Sequence, residues 1–216
     1  MPKGILASTI AVFLIAVGAC AQSGDEAAQE AAEAGEDAQE SAQTGMVRVV
    51  ISTEFGDIEV DIDTENAPGT SANFLRYVDA GHYDGGQFHR TVTMDNQPND
   101  TVRIEVIQAS VNEEFGEQGF DPIPMERTSV TGLRHVDGAI SMARGQPDSA
   151  TSSFFFCIND QPSLDFGGNR NPDLQGFAAF GQVVSGMDVV RAIQMQPYEA
   201  QALTPPVRIT SVRRDD

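Results

Sequence analysis

The sequence predicts a mainly β domain, closed as a barrel or stacked as a sandwich, behind an amino-terminal segment of about 45 residues outside the fold. From residue 46 onward, eight short apolar segments have the length and composition of strands. Only two segments have the apolar spacing of an amphipathic helix. Many short strands with few helices are typical of β-barrels and β-sandwiches.

The first two strands form a predicted hairpin. Apolar residues alternate with other residues along 47–51 and again along 58–62, which is the period of a strand with one apolar face. Between them, residues 54–57 (Glu-Phe-Gly-Asp) favour a turn. We therefore expect the domain to begin with two antiparallel strands.

The first predicted helix begins near Pro68, because proline is well tolerated in a first helical turn. Phe74, Leu75 and Val78 fall on one face of this helix. Gly81 is a typical stop signal.

The second predicted helix covers residues 187–195. Ser185 and Asp188 have the spacing of a capping pair, and Val190 and Ile193 belong to an apolar stripe. The other predicted strands are residues 87–91, 104–109, 139–143, 154–158, 177–183 and 207–212.

Residues 1–19 have the features of an export signal. Lys3 gives a basic start, and the apolar run 10–17 is too short to span a bilayer as a helix. Small residues before Cys20 resemble the processing site of bacterial lipoproteins, so we expect Cys20 to carry lipid. Several acyl chains would anchor the protein stably. The alternative is an ordinary signal peptide cut near Ala19 or Ala21.

Residues 20–45 combine the expected lipidated cysteine with an acidic, flexible tether, and residues 46–216 form the folded domain. The chain has a net charge of −19, and residues 46–216, with 25 acids and 12 bases, carry −13. Such a charge disfavours nucleic acid and anionic membrane surfaces, so the lipid is the expected membrane contact. Because Ala21 rather than an aspartate follows the cysteine, we expect the periplasmic face of the outer membrane.

Residue types that could support other chemistry are few. Cys157 lies in an apolar stretch and is expected to be a small buried residue without a disulfide. His82, His89 and His135 lack the spacing of metal ligands, so we expect neither metal nor cofactor. A Ser-His-Asp hydrolase is not excluded by residue types, although no nucleophile elbow is present.

Five short motifs occur in a characteristic order. They are Phe88-His89-Arg90, Ile107-Gln108, residues 140–143, residues 152–156 and residues 177–183. With the hairpin and both helices, they resemble the cyclophilin family of peptidyl-prolyl cis/trans isomerases over residues 46–212. The resemblance implies a closed eight-stranded antiparallel barrel capped by two α-helices, with its groove on the outside. It also implies proline-containing segments of exported proteins as partners, and we expect a monomer.

Rotation about the peptide bond before proline needs no nucleophile. Its barrier is about 18–20 kcal/mol because the nitrogen lone pair is delocalised into the carbonyl. A fixed cation with hydrogen-bond donors favours a localised lone pair, and Arg90 is the strong donor in the matching motifs. The alternative is that Arg90 forms a surface salt bridge.

Strand alternation predicts Phe88 and Arg90 on one face and His89 on the other. His89 therefore need not touch the substrate. The resemblance implies that His89 lies beside the groove, and we expect it to have a supporting catalytic role. The resemblance assigns Gln108 to the substrate backbone and to orientation of the arginine, and Ala143 and Arg144 to backbone contacts with the residue before proline. The implied residues of the proline socket are Val106, Phe155, Leu164 and Phe177.

Several residues depart from the family pattern. Glu105 and Phe177 replace an aromatic residue and a histidine, Ser153 replaces a glutamine, and Ser163 replaces a tryptophan that favours cyclosporin binding. A polar insert, residues 93–103, follows Arg90. These changes leave open a second hypothesis, a catalytically weak proline-binding or chaperone module. A third is an envelope spacer that binds no proline peptide.

Overall fold

The computed structural model describes residues 45–215, and residues 116–118 by their backbone alone. The predicted signal 1–19, Cys20 and all of the tether except Gly45 lie outside the described residues. Within the described part, no helix is long and apolar enough to cross a bilayer.

Eight antiparallel strands close into a barrel in the order β1-β2-β7-β5-β6-β4-β3-β9, and β9 pairs back with β1. A ninth strand, β8, forms a two-residue hairpin with β9. The closed eight-stranded barrel that the resemblance implies is thus confirmed. The strands are β1 Met46–Thr53, β2 Gly56–Asp63, β3 Gln87–Val92, β4 Val106–Ser110, β5 Ala139–Met142, β6 Phe154–Cys157, β7 Ala178–Ser185, β8 Tyr198–Glu199 and β9 Ala202–Arg214.

Both predicted helices are present, as α1 (Pro68–Asp79) and α3 (Met187–Gln194). A four-residue helix, α2 (Thr128–Thr131), and the 3-10 segments Glu113–Gln118 and Pro162–Leu164 were not predicted. They are too short to show a periodic apolar pattern.

The predicted capping pair of α3 is wrong. Gly186 is the N-cap, in the left-handed region at φ 88°, and no side chain caps the helix. A Cβ at Gly186 would lie 2.3 Å from the carbonyl oxygen of Asp57. The strand-to-helix connection therefore needs glycine, and backbone geometry replaces the expected side-chain cap.

The main core fills the barrel and the space beneath the helices. Phe74 of α1 is fully buried, with its ring 5.5 Å from Phe154 and 5.3 Å from Phe180. Successive residues of β6 point to opposite faces of the sheet. Phe154 and Phe156 therefore pack in this core, whereas Phe155 faces away from it.

A second, smaller apolar cluster lies on the outer face of the barrel. Phe155 and Cys157 of β6 contribute to it from the face opposite the main core. Its other buried members are Val92, Ile104, Val106, Ala139 and Leu164, with Ala143 and Phe177 packed at the edge. This cluster is the apolar floor on which an external groove can form.

The predicted alternation of β3 is wrong at one point. Phe88 is fully buried in the main core, whereas Arg90 is half-buried on the outer face. The pairing of β3 with both β4 and β9 shifts between Phe88 and Arg90, which is a β-bulge at His89. The extra residue reverses the alternation and turns Arg90 outward.

Candidate active site

A cavity of about 260 Å³ opens on the outer face of the barrel above β3, β4 and β6. Eight of the nine predicted catalytic and substrate-binding residues line it, namely Arg90, Val106, Gln108, Ala143, Arg144, Phe155, Leu164 and Phe177. Three further lining residues, Ile104, Arg170 and Asn171, were not predicted. The ninth predicted residue, His89, does not line the cavity.

Strand register sets the order of these side chains. Arg90 pairs with Gln108, and Gln108 pairs with Phe155, so the three form one row across β3, β4 and β6. Val106 lies one row further along, towards the insert at residues 93–103. Ala143 lies on the opposite side of the row, where its N–H donates to the carbonyl of Ser153 over 2.9 Å. The groove thus runs from Ala143, past Arg90, to the insert.

Two neutral amides hold the guanidinium of Arg90. Its Nη1 donates to Oε1 of Gln108 over 3.0 Å, while Nε and Nη2 donate to Oε1 of Gln201 over 2.9 and 2.6 Å. Among the described residues, no carboxylate forms a salt bridge with Arg90, so the salt-bridge alternative is not supported. Burial, followed by the charge of Arg170, lowers the pKa of Arg90, while Asp100 opposes this shift. An arginine nevertheless stays charged at neutral pH.

Gln201 is a site residue that sequence reasoning missed. It lies at the turn between β8 and β9, next to Ala202, which pairs with Arg90. Its Nε2 donates to the carbonyl of Asn96 in the insert over 3.2 Å. The residue is more than a hundred positions from Arg90, in a segment without a motif, so no local signal indicates it.

The predicted socket residues form an apolar pocket beside this row. Val106, Phe155 and Leu164 are nearly fully buried, and Phe177 stands edge-on to Phe155 with ring centroids 5.4 Å apart. On the floor of the pocket, the ring of Phe155 stacks on that of His135, with ring centroids 6.1 Å apart.

Beneath the socket, His135 joins Asp165 and Ser141 in a hydrogen-bonded chain. Its Nδ1 lies 2.8 Å from Oδ1 of Asp165, and its Nε2 lies 2.9 Å from Oγ of Ser141. The side chain of Ser141 is fully buried, so no external substrate reaches its hydroxyl. These three residues resemble a hydrolase triad in connectivity alone, and the geometry gives them a supporting role under Phe155.

Arg144 contributes its side chain to the walls of the groove as well as the backbone predicted from the resemblance. Its guanidinium pairs with both carboxylate oxygens of Asp173, at 2.8 and 3.0 Å, and donates to the carbonyl of Gly176. It also lies 5.1 Å from the ring centroid of Phe177. The hydrogen bonds from Arg144 lower the pKa of Asp173. Arg144 therefore binds the segment that leads to Phe177 through an ion pair and a backbone hydrogen bond.

His89 is half-buried at the bulge, and its Nδ1 has no hydrogen-bond partner among the described residues. Burial lowers the pKa of His89, and the positive charge of Arg90 lowers it further. Burial also raises the pKa of Cys157, so that thiol is a poor nucleophile at neutral pH. Within residues 45–215, no group of three His, Cys, Asp or Glu side chains is arranged to hold a metal ion.

The insert is hydrogen-bonded to the end of the groove at Ile104. Gln97 is almost fully buried, and its amide Nε2 donates to the carbonyls of Thr93 and Ile104 over 2.6 and 2.8 Å. The backbone N–H of Ile104 donates a hydrogen bond to Oε1 of Gln97 over 3.1 Å. Glu105, at the family's aromatic position, accepts a hydrogen bond from Asn159 over 2.9 Å. The socket consequently ends on Ile104 rather than on an aromatic ring.

A closed eight-stranded antiparallel barrel with an arginine beside an external apolar socket defines a cyclophilin-type domain. The chain belongs to the family described as cyclophilin type peptidyl-prolyl cis-trans isomerase/CLD, which matches residues 47–214.

Proteins of known sequence and structure agree with this assignment. Peptidyl-prolyl cis-trans isomerase A of Dickeya dadantii is 36% identical over 159 residues, which are 73% of this chain and 76% of that protein. Peptidyl-prolyl cis-trans isomerase B of Escherichia coli is 34% identical over 68% of this chain and 83% of its own length. A Cryptosporidium parvum cyclophilin structure superposes with a TM-score of 0.64 at 19% identity, covering 79% of this chain and 98% of that one. The enzyme class is peptidyl-prolyl cis-trans isomerase.

Proposed function

We propose that this domain accelerates rotation of the X-Pro bond in exported polypeptides and that Arg90 stabilises the twisted amide. The observation that carries the proposal is the environment of Arg90. Its charge is held by the neutral amides of Gln108 and Gln201, with no salt-bridged carboxylate among the described residues, beside an apolar pocket that suits a proline ring.

The proposed mechanism needs only binding and one oriented cation. The proline ring occupies the socket around Phe155, and the carbonyl side of the bond turns while the ring is held. As the bond twists, the nitrogen lone pair localises, and the Arg90 guanidinium donates to it more strongly than to the planar amide. A preorganised donor of this kind is worth about 2.7–4 kcal/mol, out of a barrier of about 18–20 kcal/mol.

The proposed site of action is the cell envelope. The basic start, the apolar run 10–17 and the small residues before Cys20 support export and lipid anchoring, with the periplasmic face of the outer membrane as the expected location. Metabolic labelling with a fatty-acid analogue tests this. Label that is lost in Cys20→Ser supports the anchor, and equal label in both proteins contradicts it.

Exchange NMR on the full chain, purified in detergent, tests the activity. We expect cross-peaks between the cis and trans forms of an Ala-Ala-Pro-Ala peptide at mixing times at which buffer alone shows none. Unchanged exchange in the presence of the protein would contradict isomerase activity.

A proline-segment binding module is the second candidate. Glu105 and the ordered insert favour it, because they replace the aromatic end of the socket with polar residues and Ile104. Peptide chemical shifts that move on titration without any gain in exchange rate would select this candidate.

A further inference from the structure

Three arginines line the groove cavity of an otherwise acidic domain. They are Arg90, Arg144 and Arg170, and none of the described residues lining the cavity is Asp or Glu. The domain from residue 46 onward carries −13. Charges of one sign that line a concave site focus the local field, so we expect the potential of this cavity to be more positive than that of the surrounding surface.

The three guanidinium groups differ in their free donors. Arg144 is paired with both oxygens of Asp173, and Arg90 donates to two amides in the catalytic row. Arg170 donates only through Nη1, to the carbonyl of Val102 over 2.7 Å, with Asp100 3.2 Å away. Its Nε and Nη2 have no partner among the residues that the structure describes.

The surroundings of Arg170 favour an external anion. The Arg170 side chain lines the cavity and is 14% exposed, whereas the side chain of its counter-ion Asp100 is 41% exposed. An exposed carboxylate forms a weak, screened pair. Asn171 lies beside Arg170 in the lining and offers an amide donor. Arginine binds carboxylates through two parallel N–H bonds, which fits the two unused donors of Arg170.

Strand register indicates which substrate residue reaches this place. Ala143, which the family resemblance assigns to the residue before proline, lies on one side of the catalytic row. Ile104, the insert and Arg170 lie on the other side. A peptide bound with its proline in the socket and its preceding residue at Ala143 would therefore run towards Arg170, and the residue after proline would lie on the Arg170 side of the row.

We propose that Arg170 forms a carboxylate subsite that selects Asp or Glu immediately after the proline. The inference deepens the proposed function and rests on the groove being the peptide site. A side-chain carboxylate and a free chain end share this chemistry, so the test separates them.

The test uses amidated Ala-Ala-Pro-X-Ala peptides, with X as Glu, Gln or Lys, and the full chain in detergent. Titration followed by NMR gives Kd, and exchange spectroscopy gives the rate. We expect Glu to bind about fivefold more tightly than Gln, the size of a partly exposed charge pair, with Lys weaker than Gln. A free-acid Ala-Ala-Pro-Ala peptide reports whether a chain end is taken equally well.

Three variants sharpen the assignment. Arg170→Gln should bring the Glu/Gln affinity ratio to about one. Arg191→Gln removes the same charge from an exposed position on α3, paired with Asp137, and should leave the ratio unchanged. Asp100→Asn removes the competing carboxylate and should raise the ratio above wild type, a gain that misfolding cannot produce.

Each outcome decides a separate point. Equal affinity for Glu and Gln in the wild type, or equal loss of the ratio in Arg170→Gln and Arg191→Gln, overturns the subsite. A Glu preference without any exchange acceleration supports the subsite and contradicts the isomerase proposal. Exchange acceleration without a Glu preference supports the isomerase proposal and contradicts the subsite.

Discussion

Replacing Gln201 by alanine removes the acceptor of two N–H bonds from Arg90, at 2.9 and 2.6 Å, and one contact to the insert at Asn96. Arg90 then keeps one side-chain hydrogen-bond partner, Gln108, and its guanidinium is less restricted in orientation towards the substrate. A hydrogen bond to a charged group is worth about 1.5–3 kcal/mol. If that orientation is used mainly in the twisted state, kcat falls about 10- to 100-fold while KM changes little.

Exchange NMR over a range of peptide concentrations measures both constants. Gln196→Ala is the matched control, because Gln196 is also half-buried but donates to the carbonyl of Ala192. Gln201→Glu distinguishes the orientation of Arg90 from its uncompensated charge. A glutamate at this position still accepts the hydrogen bonds from Arg90, but it also neutralises the charge of the guanidinium. We expect Gln201→Glu to keep peptide affinity while kcat stays below wild type.

A rise in KM with unchanged kcat in Gln201→Ala would refute this reasoning, because it would make Gln201 a simple binding or structural residue. Full kcat in Gln201→Glu would also refute it, because the uncompensated charge of Arg90 would then be irrelevant.

Phe155→Ala should raise KM at least tenfold and lower the free energy of unfolding by about 3–5 kcal/mol, because the ring is 5% exposed in the socket floor; titration and urea unfolding measure both. Gly186→Ala should cost about 1–3 kcal/mol in urea unfolding, since φ is 88° and the new Cβ meets Asp57. Hydrogen bonds from Arg213 lower the pKa of Asp84 from its ordinary value. The Asp84 carboxylate therefore stabilises the fold above the pKa that it has in the unfolded chain, and this stabilisation is lost as pH falls through its native pKa. Thermal unfolding between pH 6 and 2 should show this acid loss in wild type and a smaller one in Asp84→Asn.

The regular parts of the barrel could be predicted because their apolar alternation is local. Alternate residues enter the core in each of the first two strands, so face and period follow from residue types. They are Val49 and Ile51 in β1 and Ile58, Val60 and Ile62 in β2. The same reasoning fails in β3, because a bulge at His89 leaves no mark in residue types yet reverses the face of Arg90.

Site residues that belong to the family's sequence motifs could be predicted, whereas those contributed by distant loops could not. The family resemblance pointed to Arg90 and Gln108, whereas Gln201, Arg170 and Asn171 come from segments without a motif. Their positions follow from tertiary contacts, such as the bond from Arg170 to Val102 of the insert, and not from spacing along the chain.

The most direct measurement is the exchange rate of a saturating X-Pro peptide with wild type, Arg90→Ala and Arg90→Lys, each with its fold checked by circular dichroism. We predict that Arg90→Ala lowers kcat by a factor of about 10²–10³, the effect of removing one preorganised donor. Arg90→Lys should retain only part of the wild-type kcat, because an ammonium group lacks the planar guanidinium donors that Gln108 and Gln201 hold in place. A folded Arg90→Ala protein with wild-type kcat would contradict the claim that this guanidinium stabilises the twisted amide.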